Sequence, residues 1–368
     1  MTVFFLFGSL RHAALLDRVL GRACAPLTRP ARLDGEHPVL AGPRGPATLA
    51  EEPGSVKGAD GLLLDGLTDI EVERLHFYTG VYGARPASRR VGDVDATVFL
   101  APPAAPRQDY VFDDWEAAWA PLACIAADEI MAQFGRWSGG EFGAHRLKAV
   151  ETRAAARLRA PERARTSRYD LDRDVVEQAR HLPYLNFFSL AEIDFQHRRF
   201  DGSLSPVMNR ATLKVGDAAI VLPYDPVRDC VLLVQQFRAA PYIAGDTAPW
   251  IWEAPAGLVD AGETAEQAAC REAQEEAKIT LSRLEPVTRA YSSTGSSTEF
   301  SHIFIGIADL NGAGAVAGLE SEGEDIRSEV LPYDQFQADL RAGRFVNLQL
   351  VTAGFWLALN RDRLRKAG

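Results

Sequence analysis

The sequence predicts two domains, an α+β domain followed by an α/β domain. Three observations carry this. At 368 residues the chain exceeds what one hydrophobic core usually organises. Runs with strand period and runs with helix period recur in both halves. Between them the composition shifts: LKAVETRAAARLRAPERARTSRYDLDRDVVEQARH (147–181) is rich in Arg, Ala and Glu and poor in large apolar residues. This divides the chain into residues 1–145, a basic helical connector at 146–184 expected to be solvated, and residues 185–368.

Composition excludes several roles. Apolar residues make up 47% of the chain and the net charge is −10. An acidic chain has no general attraction for nucleic acid or for an anionic membrane. No run approaches the roughly 18 apolar residues of a spanning helix. MTVFFLFGSLRH lacks a basic region before its short apolar run, so no export signal is expected. Cys24, Cys124, Cys230 and Cys270 are far apart and form no CxxC pair. They fit reduced thiols in the cytoplasm better than a zinc site or a disulfide framework.

In order, residues 2–7 read as a buried strand ending at Gly8, and 12–20 as a helix. A Pro- and Gly-rich segment covers 26–54. GLLLDGL (61–67) reads as a strand, and DIEVERLHFYTG (69–80) as a helix closing at Gly80. Residues 94–100 form a strand and 113–134 a helix. After the connector, FFSLAEIDFQHRRFDG, NRATLKVGDAAIVLPYD and CVLLVQQFR (230–238) suggest strands. Residues 301–309 and 324–332 are further strands, and two helices near 333–342 and 347–360 close the chain.

One stretch is chemically unusual: GLVDAGETAEQAACREAQEEAKI (257–279). Thr264 and Gln267 have the spacing of a capping box, so a helix starts at Thr264 or Ala265. Its apolar side is almost entirely alanine, which allows close packing on a sheet. Glu272, Glu275 and Glu276 share the other side, and like charges at this spacing weaken a helix by about 0.2–0.5 kcal/mol per pair. Crowded carboxylates stay ionised together most easily around a cation. Hard oxygen ligands suit Mg²⁺ or Mn²⁺.

These residues resemble the Nudix box. Gly257, Glu263, Arg271, Glu272, Glu275, Glu276 and Ile279 fall at its positions, while Lys278 stands where the family has glycine. The resemblance implies an α/β/α sandwich that hydrolyses a nucleoside diphosphate linked to another group. It implies divalent metal on Glu272, Glu276 and Glu275, with Glu263 and Arg271 bracing loop against helix. The flanking stretches RRFDG, LLVQQFR, PWIWEAPAGLVD, STGSSTE and LESEGEDIR resemble ADP-ribose pyrophosphatases, particularly the tellurite-resistance type. That likeness implies that the Ala256 carbonyl and Glu324 bind metal and that Glu322 deprotonates the attacking water. The same likeness implies that Glu276 joins Glu322 as a catalytic residue. Arg238 would hold phosphate, Arg210 would reach substrate across a homodimer interface, and Phe187 would stack on adenine or belong to a core. Glu299, at the end of STGSSTE, counts with the substrate-binding residues. Thr294 replaces the proline that marks ADP-ribose preference, so another nucleotide sugar or a dinucleotide stays open, as does a non-catalytic nucleotide sensor.

Residues 1–140 are similar to γ-glutamylcyclotransferases. Phe7-Gly8-Ser9 stands for the family's Tyr-Gly-Ser, and Thr79 for its catalytic glutamate. This resemblance implies a β-barrel with helices around a pocket at Phe7, Gly8, Ser9 and Thr79. Threonine is no general base at neutral pH, so the pocket is expected to lack its main catalyst, with an active cyclotransferase as the alternative.

Overall fold

The computed structural model describes residues 2–42, 47–51, 57–104, 108–163, 167–314, 316–317 and 325–366. The chain divides into two compact units. One comprises Met1–Asp170 with Arg180–Ser189, the other Leu171–Ala179 with Leu190–Gly368.

In the first unit the strands are β1 (Phe4–Leu6), β2 (Thr28–Asp34), β3 (Glu36–Leu40), β4 (Ala47–Glu51), β5 (Gly58–Leu64), β6 (Arg85–Val91) and β7 (Val94–Leu100). The helices are α1 (Ala13–Leu20), α2 (Asp69–Val81), α3 (Phe112–Met131) and α4 (Gly139–Arg159). Five strands form a sheet in the order β2-β5-β1-β7-β6, and β3 pairs with β4 separately. The expected barrel is not formed among the described residues. The edge strands β2 and β6 approach within 8 Å (Cα to Cα), but no ladder joins them. Each edge strand carries a proline, Pro30 and Pro86, which cannot donate to a ladder. The β3–β4 ribbon lies in the segment read only as Pro- and Gly-rich.

Residues 146–159 of the stretch read as a solvated connector continue α4 and are packed. Phe142 and Val150 are fully buried. At Gly143 a Cβ would lie 1.9 Å from the Val81 carbonyl oxygen, and at Gly139 2.2 Å from that of Phe77. Two glycines one turn apart thus let α4 pass directly against the end of α2. The arginines that suggested a solvated face are partly internal. Arg153 donates through Nε to Glu129 at 3.0 Å and through Nη1 to the Phe187 carbonyl at 2.7 Å. Arg146 lies 4.0 Å above the Trp137 ring. Residues 175–185 are a strand.

The remaining elements are α5 (Leu171–Asp174), β8 (Val175–Leu185), β9 (Ser189–His197), β10 (Met208–Lys214), β11 (Asp217–Asp225), β12 (Cys230–Phe237) and α6 (Ala239–Ile243). There follow β13 (Trp250–Glu253), β14 (Ala256–Leu258), α7 (Ala265–Ala277), β15 (Arg283–Tyr291) and β16 (Phe300–Ile307). The last are β17 (Val316–Ala317), β18 (Ile326–Pro332), α8 (Tyr333–Arg341) and α9 (Leu348–Lys366). One sheet has the order β10-β9-β8. The larger one runs β15-β16-β11-β12-β18-β17, with β13 on β12 and β14 on β11. All nine residues of β11 are buried. Side chains alternate across a strand, and the two cores separate accordingly. Ile220, Leu222, Tyr224, Val231 and Leu233 pack with Phe336, Leu350 and Leu357 of α8 and α9. Ala219, Val221, Leu232 and Val234 pack with Ala268, Ala269 and Ala273 of α7. The result is a sheet covered on both faces, with the acidic helix on one and α8 and α9 on the other.

Candidate active site

The loop before α7 is pinned to the central strand. β14 pairs with β11, Ile220 opposite Ala256 and Ala219 opposite Gly257. Val221 N–H donates to the Pro255 carbonyl, and Val259 N–H to that of Asp217, each at 2.9 Å. Helix α7 opens as its sequence requires. Thr264 Oγ1 accepts from Gln267 N–H at 3.2 Å, and Gln267 Oε1 accepts from Thr264 N–H at 2.8 Å. The alanine face then lets the helix lie close on the sheet.

Arg271 joins loop and helix. Its Nε and Nη2 donate to the two oxygens of Glu263, both at 3.0 Å, and Nη2 also reaches the Leu258 carbonyl at 3.0 Å. Nη1 donates to Glu272 at 2.5 Å and to Glu275 at 3.2 Å. The hydrogen bond from Glu263, against the opposing effect of burial, raises the affinity of this guanidinium for its proton. Glu272 and Glu276 are only 8% and 2% exposed. The Glu272 carboxylate fills the space above Gly257, where a Cβ would stand 1.9 Å from its Oε1. Glu276 accepts the Ala256 N–H at 2.9 Å.

A lysine where the family has glycine either takes up the strain of a left-handed residue or re-routes the turn. Lys278 adopts the left-handed conformation (φ 55°, ψ 32°) that glycine usually supplies. The turn is not re-routed; the lysine takes the strained geometry.

The described residues hold no cluster of three acidic, His or Cys side chains already in ligating geometry. The donor set nonetheless suits a hard divalent cation. Glu272, Glu275 and Glu276 are carboxylates one turn apart beside the Ala256–Gly257 backbone, and only glycine leaves room for Glu272 there. Glu322 and Glu324 lie outside the described residues.

The substrate-binding candidates fall in different places. Arg238 follows β12, and its Nε donates to Glu253 at 2.7 Å. Glu299 accepts from Ser301 Oγ at 3.3 Å and Gln349 Nε2 at 3.4 Å. Arg210 is exposed on β10 and donates to the Asn209 carbonyl at 2.7 Å. Phe187 is not a core residue: it is 59% exposed, edge-on to Phe188 at 4.8 Å between centroids. It belongs to the first unit. Thr294 is exposed in a turn, where Ser293 Oγ and Ser296 Oγ share a hydrogen bond at 2.8 Å. In the first unit, Phe7, Gly8, Ser9 and Thr79 line one cavity of about 50 Å³ with Tyr78 and Tyr82. Thr79 Oγ1 donates back to the Leu75 carbonyl at 2.7 Å. Sequence reasoning missed Glu253 and Asn347. Asn347 Nδ2 donates to Glu253 Oε1 at 2.8 Å. Its position directly before an apolar-periodic segment was a capping signal.

A glycine loop, a bracing arginine and an acidic helix, laid on a mixed sheet, define the class of proteins built around a Nudix box. The family model "NUDIX domain" matches residues 214–349. The ADP-ribose pyrophosphatase of Escherichia coli is 40% identical over 192 residues, 52% of this chain and 91% of that protein. The ADP-ribose pyrophosphatase of Haemophilus influenzae is 37% identical over 186 residues, 50% of this chain and 86% of that protein. A GDP-mannose pyrophosphatase of Escherichia coli is 31% identical over 159 residues, covering 43% and 81%. The chain belongs to the Nudix family, and its second half is related to ADP-ribose pyrophosphatase. No helix among the described residues is long and apolar enough to cross a membrane.

Proposed function

We propose that the second half of the chain hydrolyses the pyrophosphate of ADP-ribose, with water, to AMP and ribose 5-phosphate. The observation that carries this reading is the packing of Glu272 against Gly257 and of Glu276 against the Ala256 N–H, in a chain 40% identical over that region to an ADP-ribose pyrophosphatase. Glu272, Glu275, Glu276, the Ala256 carbonyl and Glu324 would hold Mg²⁺ or Mn²⁺. When bound there, such a metal would supply positive charge against phosphate oxygens that otherwise repel an oxygen nucleophile, and would lower the pKa of water. Glu263 and Arg271 keep loop and helix in register. Arg238 presents its guanidinium to a phosphate, for which a planar fork is suited. Glu299 and Arg210 would contact substrate, and Glu322 would take the proton from the attacking water.

The reading includes a cytoplasmic homodimer formed through the strands near 187–215. Light scattering of the purified chain tests the assembly. For the first unit, the cavity at Phe7, Gly8, Ser9 and Thr79 supports a γ-glutamylcyclotransferase-like ancestry without turnover. Among the described residues no lining residue is an acid, and the Thr79 hydroxyl is engaged by its own helix.

Product analysis tests the activity. The protein is incubated with Mg²⁺ and ADP-ribose, ADP-glucose, GDP-mannose, NADH or diadenosine polyphosphates, and the products are separated by chromatography. Selective AMP release from ADP-ribose is expected. Preferred cleavage of another compound retains the chemistry and overturns the substrate.

A further inference from the structure

Glu253 is a buried carboxylate outside the Nudix box. It sits at the end of β13, paired with Val234, and lies 7% exposed. Both of its oxygens are used. Oε2 accepts Arg238 Nε at 2.7 Å and Oε1 accepts Asn347 Nδ2 at 2.8 Å. A carboxylate held at both oxygens cannot turn about its own axis, so the acceptor to which Arg238 Nε–H is tied stays in one place and the swing of the guanidinium is restricted. Among the described residues the two Nη groups of Arg238 make no hydrogen bond, which leaves them as a fork.

Asn347 is itself held. Its Oδ1 accepts the Leu350 N–H at 2.8 Å, capping α9, while its backbone carbonyl accepts from Val351 at 3.0 Å. The helix terminus requires an acceptor and the carboxylate requires a donor, so only one orientation of the amide serves both. Behind it, Leu350, Ala353, Leu357 and Leu364 bury α9 in the core. Two residues further along, Gln349 Nε2 reaches Glu299 at 3.4 Å. The start of the last helix therefore touches Glu299, a substrate-binding candidate, and Glu253, the partner of Arg238.

We infer that Asn347 is a positioning residue for substrate phosphate: by holding Glu253 it restricts the swing of Arg238 and so the place where the two Nη groups are offered. This rests on the phosphate-binding role given to Arg238 above. An arginine free to swing binds phosphate with a larger entropic cost than one held in place, and the loss falls on substrate affinity.

Asn347 performs two tasks, and substitution separates them. Asn347→Ser keeps a capping oxygen but is too short to reach Glu253. Asn347→Ala loses both contacts. For Mg²⁺-dependent hydrolysis of ADP-ribose, Asn347→Ser is expected to raise KM about tenfold, the scale of one hydrogen bond to a charged group, with kcat little changed and a melting temperature lowered less than in Asn347→Ala. Asn347→Ala has the same KM and a lower melting temperature. In an Arg238→Gln background, Asn347→Ser adds nothing further to KM. An unchanged KM in Asn347→Ser overturns the inference, and so do effects of the two substitutions that simply multiply. A second readout does not need turnover: solvent exchange of the Arg238 Nε–H by NMR, slow in the wild type and faster in Asn347→Ser. Equal exchange rates overturn the inference. A wild type with no turnover defeats the hydrolase reading instead, and the exchange measurement then decides about Asn347.

Discussion

Helices α2 and α7 begin alike and use their acids differently. Each starts at a threonine with a capping box, Thr68 with Glu71 and Thr264 with Gln267. In α2 the third residue is an acid, and its carboxylate is consumed where it stands. Glu71 accepts the Thr68 N–H and Oγ1–H, both at 2.8 Å, and pairs with Arg22. The Arg22 hydrogen bond, helped by Thr68, holds its pKa at about 2. An anion there also sits at the positive end of the helix dipole. In α7 the capping partner is the neutral Gln267, and the acids cluster at the other end. Glu272, Glu275 and Glu276 lie in the last turns of a helix ending at Ala277, with no basic residue in the final turn. Anions there oppose the dipole, and Arg271 is shared among Glu263, Glu272 and Glu275. A structural acid is placed where the fold favours it. A cluster placed where the fold disfavours it is what the proposed divalent metal would compensate.

The largest effect expected from breaking this contrast is in Glu276→Gln. Turnover with Mg²⁺ should fall at least roughly a hundredfold, the scale of losing several kcal/mol of metal-mediated stabilisation. The melting temperature should stay level or rise, because a repulsive charge is removed; normal turnover in steady-state assays would remove Glu276 from the metal site. Gly257→Ala comes next. Its Cβ displaces the Glu272 carboxylate, so Mn²⁺ affinity, read by electron paramagnetic resonance, should drop about tenfold or more. Glu71→Gln should do the reverse of Glu276→Gln, leaving hydrolysis intact while lowering stability by about 1 kcal/mol or more at neutral pH. Because the folded pKa of Glu71 is depressed from 4.5 to about 2, its contribution is present above about pH 4.5 and is lost as pH falls towards 2. Acid titration of unfolding free energy should be flatter over that window in the variant. The smallest effect is a gain: Lys278→Gly relieves a left-handed lysine and should stabilise by about 1 kcal/mol without altering turnover. Thermal denaturation checks it.

Much of α7 was legible because its signals are local. Thr264 and Gln267 marked its start, alanines its buried face, and Glu272–Glu276 its chemistry. Strands that need distant partners were harder to read. β15 was missed because Pro286 interrupts its pattern; the sheet tolerates that proline on an edge strand, with a register shift between Pro286 and Thr288. The role of α4 was misread because composition treats arginine as solvated. Arg153 is neutralised by Glu129, whose distance along the chain gives no local hint. Asn347 was invisible for the same reason: its partner Glu253 is far away in sequence, and only the cap was local. The left-handed state of Lys278 was legible only as a conflict between residue type and family position.

The ladder between β11 and β16 has a consequence for how the molecule comes to exist. Those strands run parallel, Asp217 opposite Phe300 through Tyr224 opposite Ile307, and the whole glycine loop and acidic helix lie in the segment between them. Closing so long a loop before its contacts form is slow. During synthesis, β11 emerges with one face already able to accept α7, but its other neighbour is not made until the chain reaches Phe300. The acidic helix, weak on its own, must wait for that docking before its carboxylates are held in place. The sheet beneath the glycine loop is therefore completed only after every residue of the box has been made, and a nascent chain halted before β16 would lack the parallel neighbour of β11.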